Sequence, residues 1–450
     1  METNGTLTTI PTTDSCRDLY QCRSLYQIIW SCISVLVACT WVSVHPNIPA
    51  PDEGSWRIQG RKIGLMIVAL IAPELLVLWA ARQWFSAREL AKQYRGKGWS
   101  VSHGFFVLMG GFARYRGTHL EEVLRYYNLN PREEKFISGI LEREIKDRSH
   151  RDGFAKLIAL WQTTWFVVQL LARWARHLPI TELEIMTVAF ATMNVLIYFF
   201  WWDKPLGVGC HIRIQDHFES VGVEAAENGD IPDHNLQSST EETALLHGQA
   251  AQISPKQWVY SFCAWIWKPI RSYVDQVWQD SNRAEAIFWF LFTPVVGLAS
   301  IAVDRNGLFN EYSTHKIPSF ERTPDLEPSK QQDQFVAYGA AILFGAIHCA
   351  GWAFAFSSTV EHVLWRIASV IVTGAPLILL FGVYLTPAVK SLPYRWKKCL
   401  ENLAVYFGIV FTTVYVLARV ALIVLSFLTL RDLPSGAFET VKWTSFIPHI

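Results

Sequence analysis

The chain has 450 residues, 51% of them hydrophobic and 18% charged, with a formal net charge of +1. A near-neutral balance argues against a nucleic-acid partner, because phosphate binding needs a surplus of Lys and Arg on one surface. The average conceals two kinds of segment, apolar runs of bilayer length and polar connections between them, which excludes an ordinary soluble α/β fold.

The first apolar run spans 25–44 and the second 63–85, with His45-Pro46-Asn47-Ile48-Pro49 between them as a stiff, proline-stopped loop. The first run begins late and lacks a small-residue cleavage site, so it reads as a retained helix and not as a signal peptide. A basic stretch follows, with Arg88, Lys92, Arg95 and Lys97. The apolar piece from Gly98 to Phe112 is too short to cross a bilayer and predicts an interfacial or re-entrant segment. Leu120, Val123, Leu124 and Tyr127, then Phe136, Ile137, Ile140 and Leu141, recur at helical spacing on a charged background and predict two amphipathic helices.

Spans three and four are expected at 154–172 and 184–202, as antiparallel neighbours. The acidic, Ser- and Gly-rich stretch 216–257 has no aromatic residue after Phe218 and predicts a disordered loop, and the aromatic stretch 258–278 suits the headgroup level. Spans five to eight follow at 284–303, 335–356, 363–385 and 403–430, before a tail ending in Trp443 to Ile450. The expected fold is therefore all-α: a polytopic transmembrane bundle of about eight spans. Its organisation is a tail (1–24), spans one to four (25–215) with a basic amphipathic connection (86–153), an acidic loop (216–257), and an interfacial segment with spans five to eight (258–450). The absence of an internal repeat weakens a transporter built from inverted halves.

Lys and Arg near the span ends place the connections after spans two and four in the cytosol, and an even number of spans then puts both termini there too. The sequon Asn4-Gly5-Thr6, a candidate glycosylation site at Asn4, points the other way. Of the eight cysteines, Cys32, Cys39 and Cys349 fall in apolar runs, and Cys16 with Cys22 is the pair placed for a disulfide. The sequence has no CxxC and no HExxH, so no metal site and no cofactor is expected.

Charges inside spans are costly and are therefore candidate functional groups. Glu74 follows Pro73 in span two, where it either satisfies a carbonyl freed by the proline or acts as a neutral acid. Arg82 lies two turns on, where it can snorkel. His348 shares a face of span six with Gly345 and Trp352, either as a helix-to-helix hydrogen-bonding group or as a base. Glu361, His362, Arg366, Ser369 and Thr373 form a stripe at the mouth of span seven, and Asn194 with Tyr198 a smaller one on span four. Span eight carries Gly408, Thr412, Tyr415 and Arg419 on one face, and Arg419 needs a buried partner, for which Glu74 and Glu361 are the candidates. With 20 Trp, 27 Phe and 15 Tyr, rings such as Trp79 and Trp352 could wall a pocket that stabilises a cation.

The segments His45 to Pro49, Gly98 to Phe112, Ala346-Ile347-His348-Cys349-Ala350-Gly351-Trp352 and Trp443 to Ile450 resemble recurrent segments of a large group of fungal integral membrane proteins. The architecture also resembles the membrane-bound terpene cyclases of fungal meroterpenoid pathways, the ascofuranone-cyclase type. That resemblance implies protonation of a prenylated epoxide or olefin in secondary metabolism, on a lipophilic substrate drawn from the bilayer. Neither DDxxD nor DxDD occurs, which excludes a diphosphate-ionising site. In such a cyclase Glu74 would donate the proton, Trp79, Trp352, Asn194 and Tyr415 would line the substrate, and His348 or Glu361 would take the terminating proton, with Arg419 as a charged neighbour. The alternative is a non-enzymatic transporter or scaffold; the endoplasmic reticulum is the expected membrane for either.

Overall fold

The computed structural model describes residues 22–149, 152–215, 315–321, 323, 325–326, 332–354, 356–390 and 393–441. The expected disordered loop, the aromatic segment 258–278, span five, Asn4, Cys16 and the tail from Trp443 lie outside the described residues.

Helix α1 (Leu25–Val37) starts at a capping box, Ser24 and Gln27 satisfying each other's backbone N–H groups, and runs into a π turn at Ala38–Val42. After the His45–Pro49 loop come α2 (Ser55–Ile71), α3 (Pro73–Gln93) and α4 (Val101–Leu108). Strands β1 (Phe112–Arg116) and β2 (His119–Val123) precede the short helices α5 (Pro131–Gly139) and α6 (Glu142–Asp147). Then follow α7 (Asp152–Ala175), α8 (Glu182–Phe200), β3 (Ile212–Gln215), α9 (Gln332–Cys349), α10 (Thr359–Lys390) and α11 (Tyr394–Leu428).

Among the described residues five helical stretches are long and apolar enough to cross a membrane: Leu25–Val42, Glu182–Phe200, Gln332–Ala353, Thr359–Gly382 and Val410–Arg431. They coincide with expected spans one, four, six, seven and eight. Helix α7 occupies the expected third span but is not one of the five.

The second expected span is not one helix. Proline lacks an N–H and forces the residue before it out of the α region, and Ala72 accordingly sits at φ −144, ψ 69. The chain bends there by 112°, more than a right angle, so α3 turns back instead of continuing. The chain leading into α2 meets the middle of α3: Asn47, in the loop before α2, accepts from Gln83 of α3 at 3.2 Å, and Ile48 donates its N–H to the Met109 carbonyl beyond α4. Helices α2 and α3 therefore form a bent hairpin with its tip at 71–74.

The all-α expectation fails in the connection after α3. Residues 120–123 lie in a strand and not in the first of the two expected amphipathic helices, because a turn at Gly117 (φ 62) folds β2 back on β1, with Arg114 paired to Glu122 opposite it at 2.6 Å. Strand β3 adds to the other edge of β1 in parallel, giving the order β2-β1-β3. The second amphipathic helix is realised as α5 and α6, broken at Ile140–Leu141; Ile137 and Ile145 are buried inward, in one cluster with Phe106 and Phe112. The expected interfacial piece is α4, buried along its length from Ser102 onward.

Helix α3 is central and packs on α4, α8 and α9; α9 packs on α8 and α10, and α10 on α11. The shared core includes Leu76, Ala80, Phe190, Phe344, Trp365 and Leu422. One end of the bundle gathers both ends of the described chain: the Arg23 N–H donates to the Phe438 carbonyl at 2.7 Å, and Arg23 pairs with Glu184 at 2.5 Å. The other end holds the His45–Pro49 loop, the small sheet, Lys204 and Ile317–Phe320.

Candidate functional site

The hairpin tip meets α9 and α11 in a buried polar cluster. Glu74 stands in the first turn of α3, 8% exposed, and its Oε1 accepts from the Tyr415 hydroxyl at 2.9 Å. Arg419, one turn beyond Tyr415, donates its Nε proton to the Ile71 carbonyl at 2.9 Å, a group that the break in the helix leaves without its usual partner. Its guanidinium lies over the Phe344 ring at 3.6 Å, with Phe190 and Tyr415 rings at 5.8 and 6.0 Å. Among the described residues Glu74 Oε2 and both terminal nitrogens of Arg419 are buried without a hydrogen-bond partner of ordinary geometry.

His348 extends the cluster along α9. Its ring lies 4.7 Å from Phe344 and its Nδ1 meets the Phe344 carbonyl at 2.8 Å. A carbonyl only accepts, so Nδ1 holds the proton and Nε2 of the neutral ring carries the basic lone pair. Trp365 of α10 closes this side, donating Nε1–H to the His348 carbonyl at 3.0 Å. The packing that brings α10 this near depends on Gly345: a Cβ there would lie 2.5 Å from Thr373 Oγ1 and 2.6 Å from its backbone nitrogen.

Glu74, Tyr415, Arg419 and His348 thus converge, and of the two partner carboxylates named for Arg419 it is Glu74 that stands beside it. The other candidates lie elsewhere. Glu361 pairs with Arg431 at the chain-termini end. Trp352 is 37% exposed, and its carbonyl accepts from His362 and Arg366, so the polar stripe of α10 caps the end of α9. Ser369 and Thr373 bond carbonyls of their own helix. Asn194 is buried on α8 beside Cys39, with no hydrogen bond of ordinary geometry from its amide. Arg82 does not snorkel but pairs with Asp333 at 2.8 Å, both buried.

Trp79 belongs to a second cluster, which sequence reasoning missed because Lys204 looks like an ordinary basic loop residue. Lys204 is buried, and its ammonium donates to the His45 carbonyl (2.5 Å), Gln83 Oε1 (2.8 Å) and Asn47 Oδ1 (3.3 Å). The indole rings of Trp201 and Trp79 flank it at 4.4 and 4.7 Å. Burial pushes this amine well below its ordinary range, while the three acceptors and two π-faces favour the cation. Beside it, a cleft of about 20 Å³ lined by Asn47, Arg82, Gln83, Tyr126 and Thr323 has room for about one water. Among the described residues no group of His, Cys, Asp and Glu is arranged to hold a metal.

Neither a curated protein nor a solved structure matches the chain. A family description does, over residues 12–222 and 232–450, nearly the whole length. The chain belongs to that family, the family of unknown function DUF8562.

Proposed function

We propose that this is a multi-pass protein of the endoplasmic reticulum membrane, whose hairpin-tip cluster transfers protons to and from a lipophilic substrate. The reaction is a protonation-initiated cyclisation of a prenylated epoxide or olefin, as in the meroterpenoid cyclases. The observation that carries this reading is the pair of unsatisfied groups, Glu74 Oε2 and the Arg419 terminal nitrogens, deep among apolar helices. Buried polar atoms are nearly always satisfied, so a pair with no partner among the described residues calls for a further polar group, which this reading takes to be the substrate.

The chemistry balances within the substrate and these residues. The Glu74 O–H bond breaks as its proton passes to the epoxide oxygen, the C–O bond ionises, and a neighbouring olefin carbon attacks the electron-poor carbon. The rings of Phe190 and Trp365 stabilise the travelling cation, and Nε2 of His348 takes the terminating proton. The product is an isomer of the substrate, and proton return from imidazolium to carboxylate resets the site.

A second reading is favoured by the guanidinium beside Glu74. In a non-enzymatic membrane protein Arg419 would neutralise that carboxylate and pin the tip through the Ile71 carbonyl, a structural network and no more. Incubating membranes that contain the full chain with farnesylated aromatic epoxides separates the two. Cyclised isomer that is absent from Glu74→Gln membranes supports the cyclase; no isomer from the unaltered chain supports the network.

A further inference from the structure

The bent hairpin reverses the membrane orientation that counting apolar runs suggests. If α2 and α3 crossed the bilayer as one span, the basic connection after α3 and the N-terminus would share a side. Because the pair enters and leaves at one end of the bundle, it adds no crossing. The Lys204 ammonium confirms the shared end by joining the loop before α2 (His45, Asn47), Gln83 of α3 and the segment after α8. The N-terminal segment and the C-terminal segment meet at the opposite end, where Cys22 bridges to Glu439 and Arg23 to Phe438.

Charge then says which end is cytosolic. The connection 94–149 carries ten Lys and Arg, whereas the described loop residues at the chain-termini end carry three, Arg23, Arg176 and Arg431. Two of those three are ion-paired, with Glu184 and Glu361. Short Lys- and Arg-rich connections stay in the cytosol, so the described ends of the chain lie across the membrane from it. The cysteines agree independently: Cys22, at the chain-termini end, is disulfide-bonded, while Cys210, exposed at the basic end, is a free thiol. Disulfides persist in the oxidising lumen and exposed thiols in the reducing cytosol.

We infer that the described ends of the chain, at Cys22 and Val441, face the lumen, so that glycosylation at the sequon Asn4-Gly5-Thr6 reports the orientation. The inference rests on the multi-pass part of the proposed function and not on its chemistry.

The test is synthesis of the full chain in the presence of sealed endoplasmic-reticulum microsomes, whose outer face is cytosolic. The expected result is a gel shift that glycosidase treatment removes and that Asn4→Gln abolishes. In the same vesicles a membrane-impermeant maleimide labels a chain carrying Cys263→Ser and Cys399→Ser before detergent is added, and a further Cys210→Ser removes that labelling. A chain with no glycosidase-sensitive shift, or one whose Cys210 is labelled only after permeabilisation, overturns the inference. Alkaline carbonate extraction keeps the two readings apart: release into the supernatant defeats the membrane assignment itself, whereas retention with either adverse result defeats the orientation alone.

Discussion

The Tyr415 hydroxyl donates to Glu74 Oε1 at 2.9 Å, a bond between residues 341 positions apart. It ties the long last helix to the tip of the α2–α3 hairpin and holds the carboxyl group in one orientation. Only Oε2 is then left to exchange a proton with anything bound there.

Replacing Glu74 by Gln tests that role with little structural disturbance, because the amide oxygen still accepts from Tyr415 while the acidic proton is gone. General acid catalysis contributes about 10²–10⁴-fold, so isomer formation is expected to fall by that order, with expression and membrane retention unchanged. Turnover at the unaltered rate removes Glu74 from the mechanism.

Arg419 and Glu74 should behave as one unit. Arg419→Met is expected to lower the thermal unfolding temperature in detergent more in the unaltered chain than in the Glu74→Gln chain. Residues in one polar network couple by about 0.5–3 kcal/mol, against additivity within about 0.5 kcal/mol for independent sites. Additive losses in the double variant would mean that the carboxylate and the guanidinium do not interact.

The seam between α9 and α10 should be intolerant of a single methyl group. In Gly345→Ala the new Cβ falls 2.5 Å from Thr373 Oγ1, whereas Gly339, on the same helix, has open space at that position. Overpacking costs about 1–3 kcal/mol, so Gly345→Ala should melt several degrees lower while Gly339→Ala stays close to the unaltered chain. Equal melting of the two variants would show that the helices are not in close contact there.

His211 gives the basic end a pH dependence. Its Nδ1 bonds the Gly110 carbonyl, and burial lowers its pKa below the ordinary histidine value. Between the lowered folded value and about 6.5 the unfolded chain binds a proton that the folded chain does not, so stability falls as pH drops through that window and is unaffected above it. His211→Asn retains a donor for Gly110 but does not titrate. From pH 7.5 to 5 the unfolding temperature should therefore fall less in the variant than in the unaltered chain; matching slopes would assign the acid sensitivity to other groups.

Apolar length is a property of contiguous sequence, and this is why Leu25–Val42, Glu182–Phe200 and the three helices from Gln332 onward were legible without coordinates. The candidates Glu74, His348, Tyr415 and Arg419 were legible for a related reason: a polar group on an apolar helix must find an inward partner, whichever partner that is. Their grouping was only half legible, since helical spacing places residues on a face but does not say which faces meet. Proline at position 73 implied a freed carbonyl within one span, but not that the chain would break and turn back there; that depends on α2, α3 and the loops packing together, through Asn47, Gln83 and Lys204. The same limit hid the strand at 120–123, whose apolar spacing is helical but which Gly117 and the pairing with β1 turn into a strand. What the sequence determined by itself is where apolar helices form and which polar groups they carry inward. Tertiary structure decided the return of the hairpin, the partners within the cluster and the burial of Lys204, because each depends on contacts between residues far apart in the chain.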